Sequence, residues 1–373
     1  MMRQAPAAGR MTIAFPVAFD MPSLRSSPIT RKAFRRTDDY TPGTSKFQLV
    51  TEDLPSPLTP NAVLIKVHAV SLNYRDANIA NGGNPWPVIP HGILCNDAAG
   101  EVVAVGQRVT KFQVGDRVAP IIDTKNLTGR EAGRSWLAAD EDGVLADFIV
   151  FDEEVVVRLP EYLDWTEASI IPCAGTTAWA ALQGFGIGSS VLIQGTGGVS
   201  MVALKLARAA GMKVILTSSS DEKLKTIAAR YKEPELMTVN YKTNENWHEE
   251  VLRFTNGVGV DLVIEIGGAT SIVPSLKCTR RGGTISSVGY LSGKKDIPNE
   301  MLSLLIDRRV NLRGINAGSR IDMEELVAAL EATRIRFDDI IDDVRQFEEA
   351  EQAIRYLWEG KVVGKLVLSI HHE

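Results

Sequence analysis

Between Val191 and Thr217 the sequence runs VLIQ, GTGG, VSMVALKLARAAG, MKVILT, a strand, a glycine turn, a helix and a second strand. Gly195, Thr196, Gly197, Gly198, Val199 and Ser200 fit the pattern G-x-G-x-x-G/A with serine in the third place. The first glycine permits the tight turn and the second lets backbone approach a pyrophosphate. The helix beginning near Val199 then offers free N–H groups and the positive end of its dipole to that anion. Val199, Ala203, Leu206, Ala207 and Ala210 share one face of it, and Gly211 stands where a C-terminal cap glycine belongs. The second strand ends in Thr217, Ser218, Ser219 and Ser220, with Lys223 one helical turn further on. An acid there would hold ribose hydroxyls and repel a 2′-phosphate, whereas hydroxyls and a lysine suit the phosphate. Asp221 is the nearest acid. Ser219-x-x-Glu222 reads as a capping box, which turns Asp221 to solvent in the first turn of a helix. The expected cofactor is therefore NADP(H).

The elements that must position this turn follow the same alternation. LMTVN (236–240), VDLVIEI (260–266), GGTISSVG (282–289) and VNLRGI (310–315) are almost continuously apolar, as parallel strands buried on both faces are. Together with the first two they predict a six-stranded, doubly wound α/β sheet over 172–316. Residues 31–171 hold short strands such as AVLIKVHAV, EVVAVG and DRVAPII between Gly, Pro and Asp turns, the texture of an antiparallel β region. The stretch from Met323 reads as helical and ends in KVVGKLVLSI, a strand with no local partner. Its partner must be the N-terminal β region, so 317–373 returns to a discontinuous domain into which the dinucleotide domain is inserted.

With 45% hydrophobic residues, the 373-residue chain can fill two cores. Its 41 basic and 46 acidic residues give a net charge of −5 with no basic face, which argues against nucleic acid. No apolar run approaches the ~20 residues of a membrane-spanning helix. Cys95, Cys173 and Cys278 form no CxxC pair, pointing to a reducing compartment and a cytoplasmic location, and against a structural zinc cluster. Residues 1–30 are Arg-rich and nearly acid-free, with Pro16, Pro22 and Pro28 breaking any helix. They read as a disordered extension, mitochondrial targeting being the alternative.

HAVSLNYRD (68–76), DAAGEVVAVGQRVTKFQVGDRV (97–118), the glycine turn, EIGGA (265–269) and GKLVL (364–368), taken together, resemble the medium-chain dehydrogenase/reductase superfamily over about 31–370. The resemblance is greatest to the zinc-independent branch holding quinone oxidoreductases and alcohol dehydrogenase-like proteins. It implies a GroES-like catalytic domain, an inserted Rossmann domain, hydride transfer to a small molecule in the cleft between them, and a homodimer or homotetramer. Where zinc-dependent members place their ligands, this chain has Asn73 and then Cys95, Asn96 and Asp97; Cys173 falls near a third ligand position. Catalytic zinc takes three protein ligands, so no metal is expected.

By the same resemblance Asn73 and Tyr74 stand in the cleft, where an amide and a phenol can donate to a developing oxyanion, and Asp97 is a candidate proton relay or an anchor for backbone amides. Arg75 and Asp76 read as an ion pair, His91 as surface, His68 as structural, and Trp86 as a cleft wall or packing residue. Thr177, Gly267, Gly268 and Gly289 are placed near the nicotinamide, Tyr241 near the adenosine phosphate, and Arg320 near cofactor phosphates or substrate. The expected chemistry is NADPH-dependent, metal-free reduction of an activated C=C or C=O of enone, enoyl or quinone type. Alcohol/carbonyl oxidoreduction and NADPH binding without turnover are the alternatives.

Overall fold

The computed structural model describes residues 30–291 and 296–371. All but Thr30 of the N-terminal extension, and with it the question of targeting, lies outside the described residues. The chain opens with a hairpin of β1 (Thr30–Arg36) and β2 (Phe47–Asp53). β3 (Ala62–Leu72), β4 (Ala98–Val105), β5 (Arg117–Pro120), β6 (Phe148–Asp152) and β7 (Val156–Arg158) follow, all paired antiparallel. β3 is the spine of this sheet, and nine of its eleven residues are buried because both of its faces are covered. A short helix, Tyr74–Ala80, follows directly upon it.

The inserted sheet consists of β8 (Ser190–Gln194), β9 (Lys213–Ser218), β10 (Met237–Asn240), β11 (Val260–Glu265), β12 (Thr279–Ser287) and β13 (Asn311–Gly314). All pairs are parallel and the spatial order is β10-β9-β8-β11-β12-β13, the doubly wound arrangement whose strand order reverses between β8 and β11. Leu192, Ile193, Ile215, Leu216, Val263 and Ile264 are fully buried, which explains the unbroken apolar runs. A ligand is expected outside the carboxyl end of β8, at that reversal.

β14 (Ile341–Gln346) and β15 (Lys365–Ser369) complete the first sheet. β15 pairs antiparallel with β3, Leu366 opposite Leu72 and Ser369 opposite Ala69, so the closing strand does return to the N-terminal β region. β14 was not anticipated: IDDVRQ is an edge strand with three exposed residues running after Ile341, and its polar texture hides it in a stretch that otherwise reads as helical. The helices there are Arg320–Thr333 and Ala350–Trp358. Among the described residues no helix is long and apolar enough to cross a membrane.

Candidate active site

The glycine turn sits at the reversal point. Gly195 adopts φ 75° and its N–H donates to the Thr217 carbonyl at 2.8 Å, tying the turn to β9. The helix Gly198–Ala209 begins immediately afterwards, and Gly197, its N-cap residue, has no side chain to occupy the N–H groups of the first turn. Those groups, with Thr196 and Val199 beside them, are of the kind that could hold an anion such as a pyrophosphate. Ser200 fills the third position usefully: its buried hydroxyl donates to the Gln194 carbonyl at 2.6 Å and clips the helix to β8.

At the end of β9, Ser218 is buried and its carbonyl accepts the Tyr241 N–H at 3.1 Å, so the half-exposed Tyr241 ring stands beside the serine run. The cap of the helix Asp221–Arg230 is Ser220, not Ser219: Ser220 Oγ accepts the Lys223 N–H at 3.3 Å. The one-residue shift leaves Ser219 exposed and free of capping duty. Asp221 is exposed in the first turn and accepts the Asn240 side-chain amide at 3.0 Å. Lys223 Nζ lies 3.5 and 3.4 Å from the carbonyls of Gly360 and Val362, poised over the same end of the strand.

The loops after β11 and β12 lie side by side, with the Gly289 N–H donating to the Glu265 carbonyl at 3.3 Å. Beneath Gly267 and Gly268 is a residue the sequence reading passed over, Glu265. This buried carboxylate accepts from the Gly267 and Gly268 N–H groups at 2.8 and 3.0 Å, from Ser271 Oγ at 2.5 Å, from Gln194 Nε2 at 2.7 Å, and from Ser275 Oγ. The available signal was an acid in an otherwise apolar strand, VDLVIEI, directly before two glycines. Thr177 is buried in the helix Thr176–Leu182.

On the other side of the turn lies a buried polar cluster. Asn73, which follows β3, donates through Nδ2 to Asp97 Oδ2 at 2.8 Å and to Asn96 Oδ1 at 3.2 Å, and accepts from Lys365 Nζ at 2.7 Å. Lys365 is 1% exposed and Asp97 0%, their charged atoms 3.4 Å apart. Lys365 opens β15, and a Cβ on Gly198 would lie 2.4 Å from its Cδ, so the lysine runs directly under the glycine turn. The preceding residue, Gly364, donates its N–H to the Thr196 carbonyl at 2.8 Å. Asp97 is thus held by an amide and an ammonium, and Asn73 has both ends of its amide engaged. Lys365 too escaped the sequence reading, though a charge opening the apolar run KLVLSI was its signal.

Burial pushes the Asp97 carboxyl up to about 7, against the pull of Lys365, and the Asp76 carboxyl up to about 6, against the pull of Arg75. Burial likewise raises the thiols of Cys95 and Cys173. A carboxyl pKa raised on folding stabilises the protein fully below the unfolded value of ~4, and that contribution is lost as pH rises through the folded value. Thermal melts taken at pH values between 5 and 8 are therefore expected to show the transition falling as pH rises, with a shallower fall in Asp97→Asn. An unchanged slope in that variant would refute the assignment.

This donor set does not suit zinc. It offers one carboxylate and two thiols that burial holds back from ionising, beside two amides, and it already contains the Lys365 ammonium, which would repel a dication. Among the described residues no group of three or more His, Cys, Asp or Glu converges to hold a metal.

Tyr74 points away from this cluster. It is 43% exposed and stacks on Trp358 with ring centroids 6.0 Å apart. Trp86 meets Trp136 edge-on at 5.2 Å and Tyr290, from the loop after β12, at 5.7 Å. It bridges the two halves of the chain as a wall. Arg75 and Asp76 do not pair: Asp76 turns inward to accept the Asn73 N–H at 2.8 Å, and Arg75 has no ion pair among the described residues. Arg320 donates to Glu154 at 3.0 Å and lies 3.4 Å from Glu324, so its guanidinium is engaged at the start of its own helix. His91 is exposed in a left-handed turn, and His68 stacks on Trp165 at 4.4 Å.

A doubly wound sheet with a glycine turn at its reversal point, tied to a β domain through Gly364 and Lys365, is the architecture of a nicotinamide-dependent oxidoreductase. Residues 59–161 match the alcohol dehydrogenase GroES-like domain and residues 198–332 the zinc-binding dehydrogenase family. A zinc-type alcohol dehydrogenase-like protein of Schizosaccharomyces pombe is 37% identical over 331 residues, 85% of this chain and 93% of the relative. A quinone oxidoreductase of Pseudomonas aeruginosa is 32% identical over 243 residues, 64% of this chain and 68% of the relative. The crystal structure of a putative alcohol dehydrogenase from Sinorhizobium meliloti superposes with a TM-score of 0.81 at 31% identity, covering 92% of this chain and 99% of that one. The chain belongs to the medium-chain dehydrogenase/reductase superfamily, whose dehydrogenases use nicotinamide cofactors.

Proposed function

We propose that the protein is an NADP(H)-dependent, zinc-independent reductase acting on an activated C=C or C=O. The observation carrying this reading is Lys365: a buried ammonium, hydrogen-bonded to Asn73 and paired with Asp97, stands among the residues that correspond to metal ligands in zinc-dependent relatives. The cofactor, when bound, supplies hydride. The chain's own groups do the rest. Gly195, Thr196, Gly197, Gly198 and Val199 receive the pyrophosphate; Ser218, Ser219, Lys223 and Tyr241 hold the adenosine end; Thr177, Gly267 and Gly289 flank the nicotinamide. Trp86 and Tyr290 keep water from the cleft. Asp97, with its carboxyl near neutrality and Lys365 beside it, holds the exchangeable proton, and Asn73 positions both. Conjugate reduction needs only modest polarisation of the substrate oxygen, which such hydrogen bonds supply.

A panel of enones, quinones and aldehydes with NADPH and with NADH tests the reading, alongside zinc analysis of the purified protein. NADPH oxidation by enones or quinones without bound zinc is expected. Stoichiometric zinc, or turnover with alcohols and aldehydes alone, would overturn it in favour of an alcohol dehydrogenase. Tight NADPH binding without turnover would make it a non-catalytic binder. Lys223→Ala should weaken NADPH about ten- to a hundredfold, the loss of one charge-assisted contact worth ~1.5–3 kcal/mol, and leave NADH unchanged. Equal weakening of both would sink the NADP(H) assignment.

We also infer a homo-oligomer. The helix Met301–Asp307 buries none of its residues, with Leu302 65% and Ile306 68% exposed, and it adjoins β13, an open sheet edge whose Leu312 is 40% exposed. A second copy covering this face explains why apolar residues cluster on it. Light scattering should show Leu302→Glu/Ile306→Glu as a monomer; an unchanged mass would place the interface elsewhere.

A further inference from the structure

Arg75 has no task in the scheme above. Its Nη1 and Nη2 are both sealed from solvent and neither has a hydrogen-bond partner. Neither of the two acids whose charges reach it bonds it: Asp76 accepts the Asn73 N–H at 2.8 Å through Oδ2 and keeps Oδ1 buried without a partner, and Asp140 is held by the Trp136 N–H at 3.0 Å and by Arg134 at 3.5 Å. A guanidinium buried without acceptors is strongly unfavourable and persists where something else supplies them. Its surroundings show where that would happen. The Arg75 charge reaches Cys173, which also feels Asp97 and Lys365, and Tyr290, whose ring touches Trp86. Arg75 stands two residues after Asn73 of the buried cluster, and its charge is felt by Tyr290 of the aromatic wall.

We propose that Arg75 binds a carboxylate on the substrate, so that the reducible group and a carboxylate belong to one small molecule. Two free Nη groups form a planar fork that matches the two oxygens of a carboxylate. The aromatic neighbours Trp86, Trp136 and Tyr290 suit the apolar carbons between the two groups. Desolvation makes each charge-assisted bond count more than it would at the surface. This inference rests on the reading of the cleft as a substrate site and adds the substrate class.

The test uses the full chain. trans-4-Oxo-2-pentenoate, an enone bearing a carboxylate, is compared with its methyl ester as a substrate in the presence of NADPH. Calorimetric titration with 4-oxopentanoate and its methyl ester, with and without NADPH, reads binding independently of turnover. In the unsubstituted protein the acids should bind about tenfold or more tightly than the esters. Arg75→Met should raise KM and Kd for the acids by about ten- to a hundredfold, leave the esters within twofold, and leave NADPH affinity unchanged; Arg75→Lys should fall between. Acids and esters bound alike, or weakened alike by Arg75→Met, would overturn the carboxylate assignment. Selective acid binding without turnover of either enone would leave it standing and overturn the reductase reading instead.

Discussion

Asp97→Leu should destabilise the protein by about 3–5 kcal/mol, the cost typical of removing one partner of a buried ion pair. The reason is the environment of Lys365. Its ammonium is 1% exposed, and its partners are the Asp97 carboxylate and the Asn73 amide oxygen. Leucine removes the only acid of that set and leaves a cation in a medium that solvates it poorly. The same substitution takes from Asn73 Nδ2 its 2.8 Å acceptor and leaves it the longer 3.2 Å bond to Asn96 Oδ1. Chemical denaturation of Asp97→Leu and of the double variant Asp97→Leu/Lys365→Met separates the effects. The double variant should recover a substantial part of the loss, because no unbalanced charge remains. A double variant no more stable than Asp97→Leu would show that the pair is not what the cluster depends on.

The second large effect is expected at Glu265. Replacing it with leucine deprives the Gly267 and Gly268 N–H groups, Ser271, Gln194 and Ser275 of their shared acceptor in one step. Each buried donor left unsatisfied costs about 1–3 kcal/mol, but neighbours share relaxation, so a total on the order of 3–5 kcal/mol is expected. Glu265→Gln keeps the shape and one acceptor oxygen and should cost about half as much. Cofactor affinity should fall in both, since the loop Glu265 fixes is the one proposed to flank the nicotinamide. Denaturation midpoints with parallel NADPH titrations check this; full stability in Glu265→Leu would mean the donors find other partners.

The contrast between what could be read from the sequence and what could not has a physical origin. The glycine turn was legible because its strand, turn and helix are contiguous, so local spacing carries the whole signal. The doubly wound sheet was legible because strands covered on both faces must be apolar along their centres, as residues 191–193 of β8 and 262–264 of β11 are. Lys365 was not, because its meaning comes from Asn73, 292 residues away, and a lysine in an apolar stretch is ordinarily read as edge polarity. Glu265 was passed over since saturation by five donors depends on how two loops and a helix meet. The capping serine was misplaced by one residue because Ser218, Ser219 and Ser220 are chemically alike and only backbone geometry selects among them. β14 escaped because an edge strand shows solvent-facing polarity with no helical or alternating signature.

The hydrogen bond from Gly364 to Thr196 has a consequence for biogenesis. Synthesis proceeds from the N-terminus, and the β8–β13 sheet is complete in sequence well before Gly364 emerges. The glycine turn is nonetheless unfinished, because one of its carbonyls and the underside of its helix wait for β15. Ribosome-bound chains ending just short of residue 364 should therefore carry a folded sheet but grip dinucleotide poorly, and chains that expose residues 364–369 should grip it fully.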